Sequence, residues 1–243
     1  MRSGRVSSVQ AIKFSAVLLL CLLTPLLLVS MAPGPQAIYT LWDWANVMGY
    51  MAMTIALLLF VYRGRARSFP PFSGRFFANL HRDLGYIAMF LIAGHVGLLL
   101  WVEPLLLEHL KPTAPLHMLA GLFALILMVV LVISSVPFLR RRVWPNYDGF
   151  RRAHMLFAAA ILSLVIYHVV MSGFYMNSRW KLAALAGVGC YVAISAIRNE
   201  RTVLLSGIVR IRNSAGYSHM ITYCVTLLVL MASLVVLLLQ RAQ

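Results

Sequence analysis

The stretch HRDLGYIAMFLIAGH, residues 81–95, begins and ends with a histidine, and residues 84–94 between them carry no charge. A second stretch, residues 154–168, has the same length and the same two terminal histidines. A neutral imidazole in apolar surroundings is costly unless its nitrogen atoms find partners. The two stretches therefore indicate apolar helices on which four histidines serve one purpose.

The composition is that of an integral membrane protein. Of 243 residues, 62% are hydrophobic and 11% are charged, and the mean hydropathy is +0.87, which is above the range of water-soluble domains. About 20 apolar residues in helical form cross a bilayer, because lipid offers no partners to backbone groups. The sequence predicts an all-α, polytopic transmembrane helical bundle in a single domain, residues 1–243, with helices at 14–32, 44–62, 83–102, 116–138, 154–175, 180–197 and 219–239.

The first predicted helix has two interpretations. Arg2, Arg5 and Lys13 precede an apolar run that ends in small residues, as in a cleavable signal peptide. The apolar run is longer than that of a signal peptide, which favours a retained helix.

The formal charge of +15 invites a nucleic-acid interpretation, but the distribution of the charge explains it differently. With seven helices, 17 of the 21 Lys and Arg residues fall on one side of the membrane and 4 on the other. This is the positive-inside pattern, which predicts a cytoplasmic N-terminus and a periplasmic C-terminus. No nucleic-acid partner is needed.

The histidine spacing predicts two metal sites. Fourteen residues along a helix bring a side chain back to within about 40° of its starting direction and about 21 Å further along the axis. The third and fifth predicted helices run in the same direction, so His81 and His154 share a level near the cytoplasm and His95 and His168 share an outer one. Two facing imidazoles can bind one iron from both sides, which predicts two bis-histidyl b-type haems.

Small residues near the histidines allow two interpretations. Gly85, Ala88, Gly94 and Ala158 make room for a flat macrocycle, and they equally mark ordinary contacts between membrane helices. Histidines in a membrane also serve as bonded core residues or as a proton or metal pathway. The remaining histidines are expected at the membrane interface (His117) or in solvent (His109 and His219).

The stretch at 81–95 and the stretch YDGFRRAHMLFAAAILSLVIYHVV, residues 147–170, resemble the ferric reductase-like transmembrane domain superfamily. That superfamily includes NADPH oxidases, iron reductases and the haem subunit of the periplasmic methionine sulfoxide-reducing system. The resemblance covers residues 40–200 and implies a six-helix haem-binding core, followed by a cytoplasmic connector, 198–218, and a seventh C-terminal helix, 219–239. It implies electron transfer through two b haems from a cytosolic flavin or NAD(P)H donor to a periplasmic acceptor.

The resemblance also implies partners. Oxidases and iron reductases of the superfamily append flavin and nicotinamide domains, whereas this sequence has only the short connector, whose VRIR alternation suggests a strand or an interfacial stretch. We therefore expect an oxidoreductase component that takes electrons from a separate cytosolic flavin reductase or from quinol. A flavin bound at the cytoplasmic face is compatible with this expectation. We expect the acceptor to be a periplasmic protein or small molecule and the protein to lie in a bacterial inner membrane.

Four arginines are candidates for contacts with haem propionates or a flavin phosphate, because guanidinium groups bind both anions in a bidentate manner. These are Arg82, Arg151 and Arg152 near the inner histidines and Arg179 at the outer side. Lipid headgroups are the alternative partners of each. Two other functions stay open at this stage, a quinol-linked cytochrome b subunit and a non-redox transporter that uses histidines for protons or metal.

Overall fold

The computed structural model describes residues 2–30, 40–64, 71–197 and 215–241. Within them the chain is helical, as predicted, with a 3-10 helix at Pro104–Leu110 and these α-helices: α1 (Arg2–Ser30), α2 (Thr40–Val61), α3 (Gly74–Val102), α4 (Leu116–Ser135), α5 (Pro137–Val143), α6 (Tyr147–Ser172), α7 (Arg179–Ile197) and α8 (Ala215–Arg241). Among the described residues, six helices are long and apolar enough to cross a membrane: α1, α2, α3, α4, α6 and α8. The predicted all-α polytopic bundle is confirmed.

Helices α3 and α6 begin earlier than their apolar segments suggested. The Ser73 hydroxyl accepts a hydrogen bond from the Phe76 N–H at 3.3 Å, and the Asn146 side chain accepts one from the Gly149 N–H at 2.6 Å. Such caps satisfy free N–H groups and start a helix among polar residues. His81 and His154 therefore lie well inside α3 and α6 rather than at their ends.

A break after α4 was also missed by the prediction, which continued this helix to residue 138. Pro137 has no N–H to donate to the preceding turn, so α4 stops at Ser135 and the short helix α5 begins at Pro137. Helix α5 carries Arg140, Arg141 and Arg142 in its last turn.

Two pairs of helices form the centre of the bundle. Helix α3 packs along α2, and α6 packs along α4, whereas α3 and α6, both described throughout, are not a closely packed pair. Helices α1 and α8 pack on the α2–α3 side. We call the end of the bundle that holds His81 and His154 the inner end, and the opposite end the outer end.

Aromatic rings fix the inner end of the α2–α3 pair. Phe14 of α1 lies edge-on to Tyr62 at 5.5 Å and to Phe76 at 5.7 Å, and Tyr62 stacks on Phe77 at 5.9 Å. Phe14, Phe76 and Phe77 are almost fully buried. Each such pair contributes about 1 kcal/mol beyond the burial of its area, so the backbone of Tyr62 is held firmly against α3.

Helices α7 and α8 begin at opposite ends of the bundle. Lys181 near the start of α7 donates a hydrogen bond to the Tyr175 carbonyl, and the Tyr175 hydroxyl donates one to Asp43 at the outer start of α2. At the start of α8, His219 lies 2.6 Å from Asp83 near the inner end of α3. The start of α7 thus lies at the outer end and the start of α8 at the inner end. Helix α7, predicted as a membrane span at 180–197, is not among the six described helices that are long and apolar enough to cross a membrane.

His219, which the sequence places in solvent, is half exposed, and its Nδ1 also contacts the buried Asp83 carboxylate. Further along α8, Ser218, Thr222 and Ser233 are fully buried, and Ser233 accepts a hydrogen bond from the Trp44 indole at 3.1 Å. Small hydroxyl side chains let membrane helices approach closely. The VRIR stretch of the predicted connector lies outside the described residues.

Candidate functional site

The inner histidine pair faces across the space between α3 and α6. The rings of His81 and His154 have centroids 6.0 Å apart, with 50° between their planes. Two imidazoles that bind one metal from opposite sides, each through a bond of about 2 Å, have centroids roughly 6 Å apart. The separation suits a metal bound between the two rings.

The outer pair lies on glycines. A Cβ added at Gly49 of α2 would lie 2.9 Å from Nδ1 of His95, and one added at Gly121 of α4 would lie 2.9 Å from Nδ1 of His168. Real Cβ contacts are not this short, so each ring occupies space that only glycine leaves. No described ring contact joins His95 to His168, in contrast to the inner pair.

Backbone carbonyls fix the outer rings in the same way on both sides. Nδ1 of His95 lies 2.8 Å from the Ala45 carbonyl, and Nδ1 of His168 lies 2.8 Å from the His117 carbonyl. Each carbonyl belongs to the residue four positions before the glycine on which the ring rests. The α2–α3 and α4–α6 pairs thus repeat one arrangement, although no repeat is evident in the sequence.

The inner rings are held through Nδ1 as well. Nδ1 of His81 lies 2.9 Å from the Tyr62 carbonyl, and Nδ1 of His154 lies 3.3 Å from the Ser135 hydroxyl oxygen. A carbonyl only accepts hydrogen bonds, so His81, like the two outer histidines, carries its proton on Nδ1. The lone pair of Nε2 is then available to a metal, which is the usual arrangement of ligating histidines.

The surroundings of the inner pair include an open position on α3. Helices α3 and α6 do not pack closely together, and the His81 and His154 rings face each other between them. At Gly85, one turn from His81, an added Cβ would meet no described atom within 4 Å. Gly94 is different, because Met48 Sδ would lie 2.8 Å from its Cβ, so that glycine serves the contact between α2 and α3. The donor set and the space fit haem.

The four candidate arginines lie at the surface. Arg82 and Arg151 each lie 3.4 Å from an acidic neighbour on their own helices, Asp83 and Asp148. Arg152 and Arg179 are exposed. No described contact brings any of the four to a histidine of the pairs, and their role toward propionates or a flavin stays a prediction.

The sequence analysis did not predict a polar cluster that lies at the outer end. Asp43, Tyr175 and Lys181 are all buried, and the Tyr175 ring also lies edge-on to Tyr50 at 5.9 Å. Burial and the hydrogen bond to Asp43 raise the pKa of Tyr175, so the phenol stays protonated and donates to the carboxylate. Asp43 lies two residues before Ala45, the partner of His95. A lone acidic residue in an apolar helix was the available signal.

Aromatic and basic residues surround the inner pair from α5 and the start of α6. The Phe150 ring lies 5.4 Å from the His154 ring. The Trp144 ring lies 6.3 Å from the Phe150 ring, and the Arg140 guanidinium lies 5.5 Å from it. A surface cavity of about 260 Å³ adjoins these residues and also Arg141. Only the positive charge of this group could be recognised from the sequence.

The other two histidines of the outer end, His117 and His109, also lie within the described structure. The His117 ring lies 6.5 Å from the His168 ring, and its carbonyl holds that ring in place. His109 lies in the 3-10 helix with a buried Nδ1 that has no hydrogen-bond partner among the described residues.

Residues 48–165 match the family model described as ferric reductase like transmembrane component. No curated protein and no solved structure matches the chain. The matched region holds both glycines of the outer pair and three of the four histidines, and it ends three residues before His168. Proteins of this family generally bind haem, and the family indicates transmembrane electron transfer. Residues 48–165 are thus similar to the ferric reductase-like transmembrane component, which supports the resemblance that the histidine stretches indicated.

Proposed function

We propose that the protein carries electrons across the membrane through two b-type haems, an inner one held by His81 and His154 and an outer one held by His95 and His168. The proposal rests mainly on the hydrogen-bond partners of the four imidazole rings. Each is held through Nδ1 by a neighbouring group, and the two inner rings face each other with centroids 6.0 Å apart. A core histidine has no need of an open Nε2, whereas a metal ligand does.

Haem supplies a one-electron carrier that works inside hydrocarbon. The chain would supply two imidazoles for each iron, glycines that leave space for the outer rings, and apolar surroundings that exclude water. Two histidines for each iron would leave no site on it for oxygen, which suits electron transfer. The protein is then an oxidoreductase component whose reactions begin and end with partners.

The donor in this proposal is a cytosolic flavin reductase that uses NAD(P)H, and the acceptor is a periplasmic protein or small molecule. The charge distribution supports a cytoplasmic inner end, because the arginine-rich helix α5 lies there. The aromatic group around Phe150 supports electron entry at the same end, since it lies against His154. A bacterial inner membrane and a periplasmic C-terminus belong to the same proposal.

Haem content and reduction test the proposal. The purified full-length protein is expected to be red, with a reduced-minus-oxidised spectrum of b-type haem and about two haems per chain, the number that two histidine pairs hold. Protein that is colourless after expression in haem-sufficient cells would contradict it and favour a histidine-lined transporter.

The donor is tested on the same preparation. Reduction of both haems by a flavin reductase with NAD(P)H, without quinol, is expected. Rapid reduction by quinol together with no reduction by the flavin system would instead identify a quinol-linked cytochrome b subunit.

A further inference from the structure

One of the four histidines has a different kind of partner. Nδ1 of His81, His95 and His168 lies 2.8–2.9 Å from a backbone carbonyl, whereas Nδ1 of His154 lies 3.3 Å from the Ser135 hydroxyl oxygen. The difference falls within the inner pair, since its other member, His81, has a carbonyl. A carbonyl cannot be removed by substitution, but the hydroxyl of Ser135 can.

The direction of the Ser135 hydrogen bonds follows from its second partner. The Ser135 hydroxyl donates its single proton to the Leu131 carbonyl at 2.6 Å. Its lone pairs are then available, so Ser135 accepts from Nδ1–H of His154. This places the proton of His154 on Nδ1, as on the other three rings. The neighbouring Ser134 bonds to the same carbonyl at 3.1 Å, and no described contact joins it to His154.

The position of Ser135 explains why a side chain is used. His154 faces the last turn of α4, which ends at Ser135 before Pro137. On the other three helix sites the ring meets an accepting carbonyl directly. Beside His154, the Leu131 carbonyl already accepts hydrogen bonds from the hydroxyls of Ser134 and Ser135. The Ser135 oxygen therefore serves as the acceptor for the ring.

We propose that Ser135 is the positioning residue of His154 and sets the redox potential of the inner haem separately from that of the outer one. The inference rests on the proposed function, in which His154 is an iron ligand. An imidazole that donates Nδ1–H to an acceptor gives more electron density to its metal and so stabilises the ferric form. A long hydrogen bond to a hydroxyl gives less than a short one to a carbonyl. The inner haem therefore has one strongly and one weakly supported ligand, and the outer haem has two strongly supported ones.

Potentiometric titration of the haem-loaded, full-length protein tests this proposal. Ser135→Ala removes the acceptor, so one of the two midpoint potentials is expected to move in the positive direction while the other stays. Ser135→Thr keeps a hydroxyl and is expected to restore the original midpoint. Ser134→Ala is the matched control, because it removes a neighbouring hydroxyl that bonds to the same Leu131 carbonyl, and it is expected to move neither midpoint.

The outcomes separate this proposal from the proposed function. Loss of one haem from Ser135→Ala, with both retained in Ser134→Ala and Ser135→Thr, also supports a positioning role, because His154 is then misplaced. Two haems with both midpoints unchanged in Ser135→Ala overturn the role of Ser135 and leave the two-haem proposal standing, as does an equal shift of both midpoints. Absence of haem from the unmodified protein overturns the proposed function itself.

Discussion

The imidazole of His95 stands directly on the backbone of Gly49, so closely that a Cβ there would lie 2.9 Å from Nδ1. His95 comes from α3 and Gly49 from α2, and the Ala45 carbonyl one turn before Gly49 accepts the Nδ1 proton. The same relationship joins His168 to Gly121. These contacts fix the His95 ring against α2 and the His168 ring against α4.

Substitution of Gly49 is expected to affect the outer haem alone. In Gly49→Ala the new methyl group pushes the His95 ring away from the Ala45 carbonyl, and loss of such support costs about 10- to 100-fold in metal affinity. Haem content after dilution, measured by spectroscopy, checks this. Gly97→Ala is the control. Gly97 lies on the same helix as His95, and a Cβ added there would meet no described atom within 4 Å. Equal haem loss in both variants would contradict the expectation.

Gly121→Ala is expected to affect the same haem as Gly49→Ala, although the two glycines lie on different helices. The His168 ring would be displaced from the His117 carbonyl as His95 is from the Ala45 carbonyl. Low-temperature spectra that separate the two haems provide the measurement. Loss of different haems in the two variants would mean that His95 and His168 do not share one iron.

The contact between His219 and Asp83 is expected to stabilise the attachment of α8 to α3. His219→Ala removes the ring whose Nδ1 lies 2.6 Å from Oδ2 of the buried Asp83, while Arg82 stays beside Oδ1. An unsatisfied buried polar group costs about 1–3 kcal/mol, and the half-exposed His219 places the effect at the lower end of this range. Thermal unfolding in detergent checks the loss. Met220→Leu at an exposed neighbouring position is expected to unfold like the unmodified protein, and equal stability of all three proteins would exclude the role.

The Tyr175 hydroxyl is expected to hold the outer end of α2 in place. Tyr175→Phe removes the donor of the 2.7 Å hydrogen bond to the buried Asp43 and should lower the free energy of unfolding by about 1–3 kcal/mol. Tyr167→Phe, at a partly exposed position of α6, is the control for loss of a phenol. An unfolding curve for Tyr175→Phe that matches the control would show that the hydrogen bond adds no stability.

The helices could be predicted from the sequence because apolar length determines membrane spans. Their ends could not, since Ser73 and Asn146 extend α3 and α6 into polar sequence through single hydrogen bonds. The predicted starts at 83 and 154 were late for that reason. Pro137, in contrast, is a visible signal for the break after α4 that was not used.

The 14-residue spacing predicts a shared level for each histidine pair, because 14 residues are close to a whole number of helical turns. The groups that hold the rings could not be predicted. The partners of His81 and His95 are backbone carbonyls of Tyr62 and Ala45, and a carbonyl leaves no residue type by which it can be recognised. Gly49 looks like any small residue of a membrane helix until the ring that rests on it is known.

Haem content of four single variants, His81→Ala, His154→Ala, His95→Ala and His168→Ala, tests the pairing of the histidines most directly. The account predicts that the first two lose one and the same spectral component, and that the last two lose the other. His109→Ala is expected to keep both. Loss of the same component from His81→Ala and His95→Ala, or full haem content in any of the four variants, would contradict it.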